Sequence, residues 1–163
     1  MPLAPPGHTV QRSAVGIVVR MADDPSLPLT GGCNCGAVRF EVSERPPRAV
    51  YCHCRRCQRR TGTAAAASAF AVPGSVRVVA GEDHIGSWKP GDGFEKDFCR
   101  ECGSALFARD PESGEIAGVR LGAFDDDPGV RPGARQYVAY AAPWEPLPDD
   151  GLPRFPEGRT AGA

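Results

Sequence analysis

Seven cysteines stand in three tight clusters, and this arrangement restricts the chain more than any other feature. The first cluster is Cys33-Asn34-Cys35, flanked by Gly31, Gly32 and Gly36. The second is Cys52-His53-Cys54-Arg55-Arg56-Cys57. The third is Cys99-Arg100-Glu101-Cys102-Gly103. An odd number of cysteines cannot all close intramolecular disulfides. Two thiolates one or two residues apart can reach a single tetrahedral zinc. Flanking glycines let the backbone turn tightly around such an ion, because glycine tolerates positive φ. Cys99 and Cys102 form a zinc-ribbon type of knuckle that needs a second pair, and Cys33 with Cys35 is its natural partner. Those four close a structural site, whose metal would contribute to folding because the unfolded chain offers no preformed site.

Cys52, Cys54 and Cys57 remain. Three protein ligands and one vacant position is the arrangement of a catalytic zinc. Three thiolates on Zn²⁺ sum to −1, which makes a weak Lewis acid but a good seat for a soft sulfur ligand. Arg55, Arg56, Arg59 and Arg60 follow at once and could offset that charge and hold thiolates deprotonated. Other readings stay open at this point. His53, His84 or His8 could complete a closed, structural site, since histidine is a standard zinc ligand. Cys54 and Cys57 could be a redox pair, although no βαβ context surrounds them. Trp88 and Trp144 could wall a pocket or lie in the core. His84 could act as a base or sit in a plain surface turn.

Composition sets the fold class. Gly numbers 20 and Pro 17 among 163 residues, a load that suits turns and punishes helix interiors. Short β-like runs recur about every ten residues, the sandwich or barrel rhythm. They lie at 37–42, 49–52, 63–72, 75–80, 85–88, 95–98, 105–108, 116–121 and 136–140. One helical turn is expected at 55–60. A mainly β domain is expected over 29–156, between a tail at 1–28 and a short tail at 157–163. Met21 is an alternative start. Residues 143–163 read as an extended segment laid across a surface.

Partners follow from charge. The formal net charge is −1, so nothing pulls the whole chain to nucleic acid or an anionic membrane. No apolar run approaches the ~20 residues needed to span a bilayer. The apolar stretch at 14–19 is too short for a signal-peptide core, and a cytoplasmic location is expected. Exposed β edges would allow a homodimer.

The three clusters in their setting carry a resemblance. Gly31-Gly32-Cys33-x-Cys35-Gly36-x-Val38-x-Phe40, Cys52-His53-Cys54-x-x-Cys57-x-x-x-Thr61-Gly62 and Phe98-Cys99-x-x-Cys102-Gly103-Ser104-x-Leu106 resemble the glutathione-dependent formaldehyde-activating (GFA/CENP-V) family. Leu121-Gly122-Ala123-Phe124-Asp125 and Ala142-Pro143-Trp144 are similar to its later blocks. The resemblance implies an Mss4-like fold of several coiled antiparallel sheets with zinc knuckles. It implies two zinc ions per chain: a structural one on Cys33, Cys35, Cys99 and Cys102, and a second, catalytic one on Cys52, Cys54 and Cys57. It implies a carbon–sulfur lyase that joins a thiol such as glutathione to an aldehyde such as formaldehyde. Arg55, Arg56, Arg59, Arg60 and Lys96 are candidates to hold the substrate's carboxylates. The alternatives are a non-catalytic zinc module that binds protein or nucleic acid, or a thiol or zinc sensor. Against nucleic acid, four clustered arginines have no aromatic run beside them to stack bases.

Overall fold

The computed structural model describes residues 26–158. The possible start at Met21, most of the N-terminal tail, His8 and the last five residues lie outside them. Within this range the chain is mainly β, as composition requires. The strands in chain order are β1 (Leu29–Gly32), β2 (Arg39–Val42), β3 (Arg48–Cys52), β4 (Ala66–Phe70), β5 (Val76–Ala80) and β6 (Ile85–Trp88). They continue with β7 (Glu95–Cys99), β8 (Ala105–Arg109), β9 (Ile116–Arg120), β10 (Pro132–Gln136) and β11 (Arg154–Phe155). One helix, α1 (Arg55–Thr61), interrupts them after β3. No helix among the described residues is long and apolar enough to cross a membrane.

Two sheets form. A small one has the order β1-β2-β5, and a large one runs β11-β10-β3-β4-β9-β8-β7-β6. Pairing is antiparallel except at one end of the large sheet, where β10 lies parallel to both β3 and β11. Strand β2 shows why alternation specifies a face. Val38, Phe40 and Val42 are buried. Arg39 and Glu41 point the other way and find Asp125 and Arg77. The Phe40 ring then meets Phe107 of β8 and Phe124 edge-on, at centroid distances of 5.2 and 5.7 Å. This contact joins the two sheets into one core with Leu106 and Val119.

Two expectations need correction, and one strand was not expected at all. The run at 63–72 is a strand only over Ala66–Phe70. The Thr63 hydroxyl bonds Thr61 and the Ala65 carbonyl, which spends this stretch on a turn. The run at 136–140 is not a strand. β10 ends at Gln136, and Tyr137 takes a left-handed conformation (φ 59°) that opens a 3₁₀ turn over Val138–Tyr140. β1 was not expected, because its Leu-Thr-Gly-Gly sequence carries little strand propensity. Between residues 146 and 158 the chain forms no helix, and Arg154–Phe155 adds the last short strand beside β10.

Candidate metal centre

The first and third cysteine clusters meet. Cys33 and Cys35 sit in the turn after β1. Cys99 ends β7, and Cys102 lies in the turn before β8. Each turn closes on a glycine in the left-handed region. Gly36 (φ 80°) donates its N–H to the Cys33 carbonyl, and Gly103 (φ 75°) donates to that of Cys99. The turns are stitched together by the Ser104 hydroxyl, which accepts from the Asn34 N–H at 3.0 Å and lies 3.2 Å from Cys102 Sγ. All four sulfurs fall within 4.8 Å of one another. Cys33 and Cys35 are 3.5 Å apart, Cys35 and Cys99 3.8 Å. A tetrahedron of sulfurs on zinc at about 2.3 Å has edges of about 3.8 Å, so this donor set fits zinc. Cys33 and Cys99 are buried in the main core, whereas Cys35 and Cys102 face solvent. Ser104, through its hydroxyl and its backbone N–H, lowers Cys102 to about 5.

The second group is built by the exit from β3. Cys52 is the last residue of that strand, held between Gln136 of β10 and Ala66 of β4. Cys54 caps α1, its Sγ accepting from the Cys57 N–H at 3.4 Å. Cys57, one helical turn on, faces inward. Gln58 fixes the helix in place. Its side-chain amide donates to the carbonyls of His53 (2.5 Å) and Tyr140 (2.7 Å). The three sulfurs lie within 4.8 Å of one another, and no His, Asp or Glu among the described residues joins them. The thiols of Cys52 and Cys57 donate to Cys54 and pull it down to about 2. The bond to Cys54, with burial, pushes Cys52 up.

The histidines go elsewhere. The His53 ring is buried and turns to Arg135, 3.4 Å away. His84 is in a surface turn, with Nδ1 3.0 Å from Glu101 beside the four-cysteine turns. Trp88 and Trp144 are exposed and belong to no core.

The candidate cations divide into two groups. Arg55, Arg56 and Arg59 lie on the exposed face of α1. Arg55 bonds Gln58, and Arg56 pairs with Asp92. Arg60 and Lys96 turn inward. Burial lowers both, and Cys57 opposes that shift in each case. A third inward cation, Arg120 at the end of β9, is absent from the sequence-based candidates. It is only 8% exposed and bonds Ser68 at 2.5 Å. Its signal was available: Ile116-Ala117-Gly118-Val119-Arg120-Leu121 is an apolar run with one charge. Lys96, Arg120, Cys52 and Cys57 line a cavity of about 100 Å³, with Phe70 and Phe94 among its apolar walls. Arg120 also borders a wider cleft of about 670 Å³ that runs past Thr63 and Ala66 to Cys33 and Asn34.

The family model for the glutathione-dependent formaldehyde-activating enzyme matches residues 28–140, which include all seven cysteines, Lys96 and Arg120. The chain belongs to this family. A curated protein of Halomonas elongata is 34% identical over 105 residues, covering 61% of this chain and 67% of its own. It is named "Putative glutathione-dependent formaldehyde-activating enzyme". A crystal structure of a Rhodobacter sphaeroides protein is 26% identical, covers 78% of this chain and 99% of that one, and has a TM-score of 0.49. Membership in the GFA family matches the resemblance carried by the cysteine motifs.

Proposed function

We propose that this chain is a cytoplasmic, zinc-dependent carbon–sulfur lyase that makes and breaks adducts between a thiol, such as glutathione, and an aldehyde, such as formaldehyde. The observation that supports it is the three-sulfur group with no fourth protein ligand among the described residues, opening on a cavity bordered by cations. Cys33, Cys35, Cys99 and Cys102 would hold a structural zinc. Cys52, Cys54 and Cys57 would hold the second. The sulfur donors and their spacing fit the metal in both places. Zinc bound at the second group would lower the pKa of a thiol that reaches it, so that thiolate persists at neutral pH.

The chain's own residues do the rest. Inward-facing Arg60, Lys96 and Arg120 offset the negative charge gathered on the sulfurs. The apolar walls of the cavity keep water from the aldehyde and strengthen these interactions. Burial of Cys52 and Cys57 fixes the direction from which a thiol can approach, so the enzyme acts mainly by placing two reactants together. Arg60 and Lys96 are the expected cations that would touch substrate. Arg55, Arg56 and Arg59, on the outer face, would raise the local concentration of an anionic thiol.

The test is Cys54→Ser, followed by NMR exchange between glutathione, formaldehyde and their adduct. Exchange should fall to the uncatalysed rate, and bound zinc should fall by one ion per chain. Unchanged exchange in the variant overturns the proposal.

A further inference from the structure

Buried arginines elsewhere in the molecule show what normally accompanies such a charge. Arg135, 7% exposed, has Asp150 at 2.7 Å. The buried carboxylate Asp97 has Arg109 at 2.9 Å. Arg120 has no carboxylate partner among the described residues. Its Nη1 bonds a neutral serine, and its Nε and Nη2 are buried with nothing to bond. Lys96 has no carboxylate partner among these residues either and lies near the Phe94 ring, 5.5 Å from its centroid. An uncompensated buried charge costs several kcal/mol. The sulfurs can balance charge, but they leave donors unmet. Arg60 lies outside the cavity and also faces Asp97. Inside it, the buried Nε and Nη2 of Arg120 have no acceptor, and Lys96 stands on the same cavity wall.

We propose that the cavity beside Cys52 and Cys57 is a carboxylate subsite, and that the aldehyde used there is a small 2-oxo acid with its carboxylate next to the carbonyl. This rests on the thiol–aldehyde reading above. Size and position select the source of the carboxylate. The cavity touches the sulfurs themselves and has room for a fragment of a few heavy atoms. In a glutathione adduct, the peptide carboxylates are several bonds from sulfur. The carboxylate of an adduct with a 2-oxo acid is two bonds from it. Formaldehyde carries no charge for Arg120 to meet.

The reaction balances without a redox partner. Sulfur forms a bond to the aldehyde carbon, and the π pair of the carbonyl moves to its oxygen. That oxygen takes the proton the thiol released. The carboxylate is unchanged and serves as the handle, held by the guanidinium fork of Arg120 and the ammonium of Lys96.

The experiment uses the full chain with zinc, glutathione, and either formaldehyde or glyoxylate, with adduct exchange read by NMR. In Lys96→Gln and Arg120→Gln both turnovers should fall, because these cations also face the sulfurs, and glyoxylate turnover should fall about 10- to 100-fold further than formaldehyde turnover. Lys96→Gln keeps the test available if the Arg120 variant fails to fold. Line broadening of fluoroacetate in ¹⁹F NMR should appear with the wild type and vanish with Lys96→Gln. Equal losses with both aldehydes would mean a merely structural role and overturn the inference. A loss that follows glutathione with either aldehyde, and disappears when cysteamine replaces it, would assign the subsite to the thiol and overturn it too. Acceleration with formaldehyde but not glyoxylate ends the inference alone. Acceleration with neither ends the thiol–aldehyde reading.

Discussion

The four-cysteine and three-cysteine groups use the same atom and are placed in opposite surroundings. The first joins two glycine-closed turns. Two of its sulfurs sink into the main core and two meet solvent. The wide cleft reaches it at Cys33, where Arg39 stands nearby and is itself paired with Asp125, and a serine and backbone amides bond its turns. The second is made by a strand end and a helix start, and lies against a cavity lined by Lys96 and Arg120, with Arg60 also close to Cys57. On the proposed reading, sulfur alone therefore does not distinguish a staple from a place of chemistry. The count of ligands and the charge nearby do.

This contrast can be broken in several ways. The largest effect is expected from Cys99→Ser, which removes a sulfur that is also part of the core. A zinc site that folds the chain is worth on the order of 10 kcal/mol, so cooperative thermal unfolding followed by circular dichroism should be lost. Cys54→Ser should leave the melting temperature within a few degrees while it removes exchange activity. If the two variants melt alike, the division of labour is wrong. Next comes Gln58→Ala. Its amide is buried, and its loss orphans the carbonyls of His53 and Tyr140. A cost of about 2 kcal/mol in urea unfolding is expected, with lower activity because α1 carries two of the three sulfurs. The smallest effect is expected from Arg56→Ala, whose pair with Asp92 is exposed. Stability should change by less than about 1 kcal/mol. Exchange should slow by less than about threefold at low salt and not at all at high salt, because long-range attraction is screened.

Much of this was legible beforehand, for a physical reason. Metal-binding cysteines must lie close in sequence to form a knuckle, so Cys33 with Cys35 and Cys99 with Cys102 announce themselves. Strands with clean alternation, such as β2, also do. Ile85–Trp88 is a strand with the expected bounds. What escaped were features decided by distant contacts. β10 begins with Pro132, which is tolerated because it is the first residue of its strand. The left-handed turn at Tyr137 then ends the strand where alternation would have continued it. Arg120 was passed over because its importance comes from Lys96 on β7 and the sulfurs at the end of β3, none of them near it in sequence. His84 could have reached the triad on sequence grounds, but Glu101 holds it elsewhere.

The spacing of the sulfurs also bears on the order of assembly during synthesis. Cys52, Cys54 and Cys57 span six residues, so an unfolded chain can gather them at little entropic cost. Cys35 and Cys99 are 64 residues apart and meet only when the sheets have closed. If both groups bind zinc as proposed, a nascent chain short of metal would thus fill its reactive seat before the clasp that keeps the fold shut.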